Sequence, residues 1–562
     1  MLDRLPTNIV CQVAQYLRTP TYKQPALQQL SQVNHRLHQL LVSQVYEYFT
    51  ITDIIITGDT ERFSDIQGYL SRLLITDDEE IDDQRWIAGL EALGGLDWGH
   101  VGMVSVEFGG MGDGRIERVV DWVAENLAGV RELWVELDRR DAVRRLFEEK
   151  RAFFESLEEI RIIGKACRAD VGGRAVRVPE MPGLQVVYLD DMATAVTGIV
   201  DVVRRQCATL RDMNVDEYDG ELAGRLGMAG GACGAAVYSR LERLALACKP
   251  YQWEVVRLDA ECVPRLRSLY FSQGLYPVYA GRNLVRESMA VILMQKQWEW
   301  LEMLAVDTLS KGDLLQMQGK LPRLRVLSIG TMGSDVDLAD PDCAPDAPLD
   351  IADVATILDA CPQLIDLRIE VPAVFEDIYN GNAPDQITPM VERPFFPLFR
   401  HLVPREHAKL RHLTINAWAL TFDQALLLVD ALPRLCSLEW VLRFSSRYPV
   451  SPEAARAVAA HGALAHMSLA HVTGVRFKHV FKANLLKFLA VLGGGSGVGG
   501  RLKTLDVYGA LEIPGLAGAV ARVAPGCVAA FYPLVPSWMA DDEECDEEDD
   551  EDEEERSGCR ER

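Results

Sequence analysis

Three histidines recur at five-residue steps, at His461, His466 and His471. Imidazoles bind transition metals and act as general bases, but either role needs further ligands or a partner acid at matching spacing, and the neighbouring sequence offers none. The twelve cysteines are dispersed and include no Cys-x-x-Cys pair. The sequence therefore predicts no metal, no cofactor and no catalytic residue, and it predicts that the thiols are reduced.

A glycine-rich stretch and two acidic stretches are the other candidates for ligand chemistry. The stretch 493–500 (GGGSGVGG) has the composition of a phosphate-binding loop, but a predicted helix precedes it and a predicted strand follows it. Phosphate-binding loops need the opposite order, strand then helix. The Asp-rich segments 77–83 and 335–350 lack the ligand spacing of a calcium loop. All three are predicted to be solvated loops.

The charge of the chain is unevenly distributed. The net charge is −25, and residues 541–562 hold 15 acids and 3 bases, so about half of the excess lies there. A mildly acidic body predicts no nucleic-acid partner, because binding phosphates needs a basic face. No signal sequence or membrane-spanning apolar run is found, which predicts a cytoplasmic or nuclear protein. The range 536–562 is predicted to be a disordered acidic tail that keeps the chain soluble or binds a basic partner.

An apolar hexamer of the form Leu-x-x-Leu-x-Leu recurs thirteen times. Most starts are 23 to 31 residues apart, which is typical of leucine-rich repeats, and four longer intervals indicate inserted loops. The second half of each hexamer alternates like a strand with one buried face. The hexamers start at Val130, Leu157, Leu184, Leu210, Leu241, Leu266, Leu301, Leu324, Leu364, Leu410, Leu435, Leu464 and Leu502.

Helical segments are predicted between many hexamers, for example over 351–360, 424–432 and 485–492. A proline just before several hexamers would end the helix and return the chain to an extended strand; these are Pro182, Pro264, Pro322, Pro362 and Pro433. The predicted fold class is therefore α/β, an irregular solenoid with a parallel inner sheet and outer helices. A layered α/β sandwich remains the alternative.

Residues that flank the third apolar position of each hexamer are predicted to point into solvent on the inner face. Aromatic and acidic residues among them suggest a binding site for a basic segment of a target protein. They are equally well explained as soluble residues of a strand face. The predicted target-binding residues are Trp134, Tyr188, Asp190, Asp216, Tyr270 and Asp307.

The first fifty residues carry three short amphipathic helical patterns. The segment 2–17 (LDRLPTNIVCQVAQYL) and the later block Leu30-Ser31-x-Val33-Asn34-x-Arg36 resemble the F-box of fungal proteins. The resemblance implies that this module binds the Skp-type adaptor of a cullin–RING ubiquitin ligase. The residues implied to contact the adaptor are Leu5, Pro6, Ile9, Val10, Val13, Leu30 and Val33. An ordinary helical cap on the repeat array is the alternative.

Together these features predict an F-box-like helical module over 1–50, a linker with first irregular repeats over 51–128, degenerate leucine-rich repeats over 129–535, and the acidic tail. The resemblance implies a substrate-recognition subunit without its own catalytic site, whose partners are the adaptor, through it a cullin, and a protein target. A non-ligase repeat scaffold, or a chaperone-like binder of a basic protein, is the alternative function. An enzyme is the third.

Overall fold

The structure is a computed structural model. The residues that it describes are 48–51, 71–76, 81–96, 98–108, 111–136, 145–163, 178–189, 197–229, 236–248, 258–273, 292, 297–306, 309, 317–330, 353–370, 409–420, 422–442, 464–471, 478–493, 502–508, 515–524 and 526–532. Residues 1–47 of the predicted N-terminal helical module, and the predicted acidic tail, lie outside these residues. The last three residues of the predicted module, 48–50, form a strand and not a helix.

The chain divides into two compact units, and each contains its own run of parallel strands. Unit 1 covers 1–306 and unit 2 covers 307–562. The strands of unit 1 are β1 (Tyr48–Thr50), β2 (Arg72–Ile75), β3 (Met103–Glu107), β4 (Glu132–Glu136), β5 (Glu159–Ile163), β6 (Val186–Leu189), β7 (Asp212–Tyr218), β8 (Arg243–Cys248), β9 (Ser268–Gln273) and β10 (Met303–Val306). The strands of unit 2 are β11 (Val326–Gly330), β12 (Asp366–Glu370), β13 (His412–Leu420), β14 (Ser437–Leu442), β15 (His466–His471), β16 (Thr504–Tyr508) and β17 (Val528–Tyr532).

Within each unit, every strand pairs in parallel with the next strand along the chain. All thirteen predicted hexamers lead into one of these strands, which confirms the predicted parallel α/β repeat. Parallel neighbours need a crossover connection, and several of the described crossovers contain a helix. The order strand, loop, helix, strand is that of a solenoid repeat.

Eight α-helices are described. Three of them correspond to the predicted helices 351–360, 424–432 and 485–492. The first two agree within two residues at each end, and the third begins seven residues earlier than predicted. The helices Asp353–Ala360 and Phe422–Ala431 end just before Pro362 and Pro433, as predicted. The helices are α1 (Asp83–Leu93), α2 (Asp113–Asn126), α3 (Thr197–Arg205), α4 (Gly220–Leu226), α5 (Asp353–Ala360), α6 (Phe422–Ala431), α7 (Lys478–Gly493) and α8 (Leu516–Val523).

The range 51–128, which was predicted to hold a linker and the first irregular repeats, contains strands β2 and β3 with helices α1 and α2 in the same order as the later repeats. Their hexamers, LSRLLI from Leu70 and VGMVSV from Val101, match the apolar pattern but were not recognised in the sequence. Between β4 and β5 the chain forms a π-helical turn (Arg145–Glu149) and a 3-10 helix (Arg151–Ser156) in place of an α-helix.

The apolar hexamer positions form the core of each unit. Leu133 and Val135 of β4, and Ile160 and Ile162 of β5, are all at most 1% exposed. Burying a side chain of this size contributes about 1.5–3 kcal/mol. The alternating side chains of the same strands are half-exposed, so one face of the sheet packs on the helices and the other remains open.

A buried arginine joins the first two helices of unit 1. Arg115 in α2 is 7% exposed, and its guanidinium donates to the carboxylate of Asp83 and to the backbone carbonyl of Ile81. It also lies 5.9 Å from the centre of the Trp86 ring. These contacts satisfy a buried charge and fix α1 against α2.

The backbone register continues before each strand begins. The residue at the second hexamer position donates its N–H to the same position of the preceding repeat, as in Glu158 N to Arg131 O (2.8 Å) and Glu242 N to Arg211 O (2.8 Å). All strands of a unit therefore start at one edge of its sheet, which we call the amino edge. The register aligns side chains of successive repeats in rows across the open face.

Candidate functional site

The open face of unit 1 is crossed by two rows of side chains. One of them, which we call the central row, is formed by residues that are paired from strand to strand in β4 to β10: Trp134, Arg161, Tyr188, Asn214, Ala245, Tyr270 and Ala305. The other, which we call the first row, is formed by the residues two positions before the central row on each strand. In β3 to β10 these are Met103, Glu132, Glu159, Val186, Asp212, Arg243, Ser268 and Met303.

Three neighbours of the central row form a stack of rings and a cation. The guanidinium carbon of Arg161 lies 4.8 Å from the centre of the Trp134 ring and 5.7 Å from the centre of the Tyr188 ring. Both distances are within the range of cation–π attraction, about 0.5–1 kcal/mol each where water has access. The register places the three residues on adjacent strands, so the stack spans β4, β5 and β6. It holds two aromatic rings at fixed positions on the face.

Carboxylates of the first row lie beside this stack. Glu132 and Glu159 are directly opposite each other on β4 and β5. Partial burial, the charge of Glu132 and the charge of Asp212 raise the pKa of Glu159, while Arg161 lowers it in part. The Trp134 indole N–H forms no hydrogen bond of ordinary geometry with a described residue, but it lies near enough to Glu159 to favour the carboxylate. Negative charge is therefore in excess at this point of the face.

Asp212 continues the first row two strands further on. The Asp212 side chain is nearly buried, and burial raises its pKa although Arg243 opposes the shift through a 2.7 Å ion pair. Burial also raises the pKa of Tyr188, and the charges of Asp212 and Glu159 raise it further. The Tyr188 hydroxyl is thus uncharged at neutral pH and is available as a hydrogen-bond donor.

The register aligns the predicted residues Trp134, Tyr188 and Tyr270 in the central row. Tyr270 is 46% exposed and stands three strands from Tyr188. Asp216 is in β7, at the shift of register between Val215 and Tyr218. Asp190 and Asp307 lie outside the described residues, as do the predicted adaptor-binding residues Leu5, Pro6, Ile9, Val10, Val13, Leu30 and Val33. The binding roles of all these residues stay predictions.

The first row was missed by sequence reasoning. Its carboxylates occupy the third hexamer position, while only the fifth and seventh positions were considered. The signal was present, because a period of two places the third and fifth positions on the same side of a strand. The first-row acids are Glu132, Glu159 and Asp212.

The corresponding row of unit 2 is polar except for Ala530, and it contains no aromatic residue. Its members are Ser328, Arg368, Thr414, Glu439, Ser468, Asp506 and Ala530. Arg368 forms a 3.0 Å ion pair with Asp366 of the same strand. Aromatic side chains supply most of the energy at protein interfaces, so unit 1 carries the stronger candidate surface.

The part of the chain that the structure describes offers neither a metal site nor a membrane-spanning helix. No group of three or more His, Cys, Asp or Glu side chains is arranged to hold a metal ion there. None of the described helices combines the length and hydrophobicity needed to span a bilayer. The glycine-rich stretch 493–500 follows α7 and precedes β16, as predicted, which is the wrong order for a phosphate-binding loop.

Comparison with known proteins yields one kind of likeness. No protein-family model and no curated protein matches the sequence. Among solved structures, the chain is similar to one in the crystal structure of the Rad7 and Elc1 complex in yeast, at 14% identity and a TM-score of 0.33, over 93% of this chain and 96% of that chain. The class of protein defined by the fold is an α/β repeat protein with parallel strands.

Proposed function

We propose that this chain is the substrate-recognition subunit of a Skp–cullin–F-box ubiquitin ligase. The F-box-like module of residues 1–50 binds the Skp-type adaptor, and the open face of unit 1 binds the target. Other subunits transfer ubiquitin, so the chain makes and breaks no bond. Its proposed place of action is the cytoplasm or the nucleus.

The stack of Trp134, Arg161 and Tyr188 is the observation that supports target binding. Each side chain is positioned by a strand that pairs on both sides, so little conformational entropy is lost when a target binds. The rings offer flat apolar surface, and Arg161 offers donors for a carbonyl or carboxylate. Rigid aromatic side chains and arginine are the usual hot spots of protein interfaces.

The carboxylates beside the stack define the chemistry of the target. Glu132, Glu159 and Asp212 are partly or largely buried, and burial and mutual repulsion raise the pKa of Glu159. A lysine or arginine of the target placed over Glu132 and Glu159 would relieve that repulsion. The proposed target is therefore a segment with a basic side chain and an apolar or aromatic neighbour.

Co-purification of the adaptor tests the ligase proposal. We expect the full chain to capture a Skp-type adaptor and a cullin, and a variant with Leu5→Ala and Pro6→Ala to lose both. A matched control, Gln28→Ala with Gln29→Ala, changes predicted polar positions of the same module and should retain them. Absence of the adaptor from all three preparations would reject the ligase proposal. The remaining function would be that of a repeat scaffold or chaperone-like binder, which requires only the open face of unit 1.

A further inference from the structure

The amino edge of unit 2 is basic. For each strand from β11 to β17, we assign to this edge the residues that lie between the preceding helix or turn and the first residue of the strand. Their described charged side chains are all bases, and no acid is found among them. The seven bases are Lys320, Arg323, Arg325, Lys409, Arg411, Arg434 and Lys503.

The same edge of unit 1 is different, because charges of both signs alternate there. Arg131 forms an ion pair with Glu158 of the next repeat at 3.7 Å. Glu242 lies between Arg211 and Arg267 in consecutive repeats, as the backbone hydrogen bonds show. The repeat architecture therefore does not itself require a basic amino edge. The excess of bases is particular to unit 2.

Several of the unit 2 bases are exposed without a counter-ion. Arg325, Arg411, Arg434 and Lys503 form no ion pair with any residue that the structure describes. Lys409 donates a hydrogen bond to the amide oxygen of Gln363, which carries no charge.

The spacing of these bases suits an extended polyanion. Arg325 and Arg411 lie two strands apart and Lys503 three strands further, because backbone hydrogen bonds link the same position in each repeat. At about 4.8 Å per strand, neighbouring bases of the row are roughly 10–14 Å apart. At that distance, dissolved salt largely screens the repulsion between neighbouring bases, so they can lie in one row without a large energetic cost. The row still attracts a chain of anions.

We propose that the acidic segment 541–555 of this same chain binds the amino edge of unit 2. The segment has 14 acids in 15 residues. This inference goes beyond the proposed function and does not depend on it. It gives the acidic segment a defined binding site within the chain.

The segment is long enough to reach the edge. Strand β17 begins at the amino edge, where Val528 N donates to Lys503 O at 2.8 Å, and it is five residues long, ending at Tyr532. Residues 533–540 can span about 26 Å when extended, which exceeds the roughly 17 Å length of a five-residue strand. Residues 541–555 can then span about 50 Å, against about 29 Å across the seven strands.

The interaction needs no fixed register. Almost every residue of the segment is an acid, so each base meets a carboxylate whichever way the segment slides. Individual surface ion pairs are weak, but attachment to the same chain keeps the local concentration of the segment in the millimolar range. The interaction is therefore expected at low and physiological salt and is expected to be lost at about 0.5 M salt.

Zero-length cross-linking tests the proposal on the full chain. A carbodiimide joins a lysine amine to a carboxylate only when the two are in contact, and mass spectrometry identifies the joined peptides. We expect Lys409 and Lys503 to be joined to residues 541–555 at low salt. In a variant with Arg325→Glu, Arg411→Glu and Arg434→Glu, both lysines remain as reporters, and the yield should fall about tenfold, as expected from losing three surface ion pairs.

A matched variant separates local binding from the change in net charge. Arg131→Glu, Arg211→Glu and Arg267→Glu change the amino edge of unit 1 by the same charge and should leave the yield unchanged. Equal loss in both variants, or no cross-link in the unaltered chain, would overturn the proposal. The same cross-linking can be done on a mixture of isotopically light and heavy protein. Joined peptides that carry both isotopes would show that the segment binds a second copy of the chain, which would also overturn the proposal.

Discussion

Arg161 on β5 lies over the ring of Trp134 on β4, with 4.8 Å between the guanidinium carbon and the ring centre. The two residues are directly paired in the strand register, so the contact is set by the backbone. Tyr188 closes the other side of the cation at 5.7 Å. A surface arginine held in this way is already ordered before any target arrives, which lowers the entropic cost of using it in binding.

The aromatic rings of this stack should dominate target binding. We expect a random peptide library selected on the purified chain to yield sequences rich in lysine or arginine next to an apolar or aromatic residue. Binding of a selected peptide should weaken by about 2 kcal/mol or more, roughly 30-fold, when Trp134→Ala and Tyr188→Ala are combined. Affinities from titration calorimetry give the comparison.

A control variant for that prediction changes the corresponding row of unit 2. Ser328→Ala with Thr414→Ala changes the unit 2 open face and should leave the affinity of the peptide unchanged. Selected peptides that are acidic, or that bind both variants equally, would contradict the assignment of the site to unit 1.

The raised pKa of Glu159 predicts a dependence of stability on pH. A carboxyl with a higher pKa in the folded state binds more protons folded than unfolded, so the free energy of unfolding falls as pH rises from its ordinary value through the raised one. Glu159→Gln removes this penalty. The variant should therefore be more stable than the unaltered chain at pH 7, by less than about 1 kcal/mol because the group is partly solvated.

Urea unfolding measured between pH 4 and pH 7.5 checks this sign. The stability difference between Glu159→Gln and the unaltered chain should shrink towards zero as pH falls to the ordinary pKa of a glutamate, about 4.3. Glu155→Gln is a suitable control, because Glu155 is exposed and next to the same strand. A difference that does not change with pH would show that the charge of Glu159 is not its cause.

Phe488 is expected to be critical for the stability of unit 2. It is fully buried in α7, and its ring centre lies 4.7 Å from that of Phe422 in α6 and 6.1 Å from that of Trp440 in β14. Phe488→Ala leaves a cavity among these rings and should lower the free energy of unfolding by about 3–5 kcal/mol. Phe488→Leu keeps most of the volume and should cost less than about 1.5 kcal/mol. Chemical denaturation of both variants measures the difference.

The strands could be predicted because their physical signal is local. Each hexamer carries its own alternation of buried and exposed positions, so Leu133 and Val135 identify β4 without knowledge of any other repeat. Rows across the sheet follow once the hexamers are aligned, which is why Trp134 and Tyr188 were predicted on the same face.

Properties that depend on neighbouring strands could not be read from single repeats. The contact of Arg161 with two rings, and the raised pKa of Glu159, arise from side chains that are distant in sequence. The basic amino edge of unit 2 was hidden in the same way, because each repeat contributes one or two bases to a chain whose net charge is −25. The net charge of the whole chain does not show where individual charges lie. The strand register does, and it aligns these bases along one edge of the sheet.

The pairing of β12 with β13 has a consequence for how such chains diversify. Glu370 ends β12 and His412 begins β13, yet the two strands pair directly with each other, in register over four residues. A stretch of 41 residues between two strands is thus compatible with an unbroken ladder of backbone hydrogen bonds. Insertions between repeats can therefore be acquired during evolution without unfolding the strands on either side.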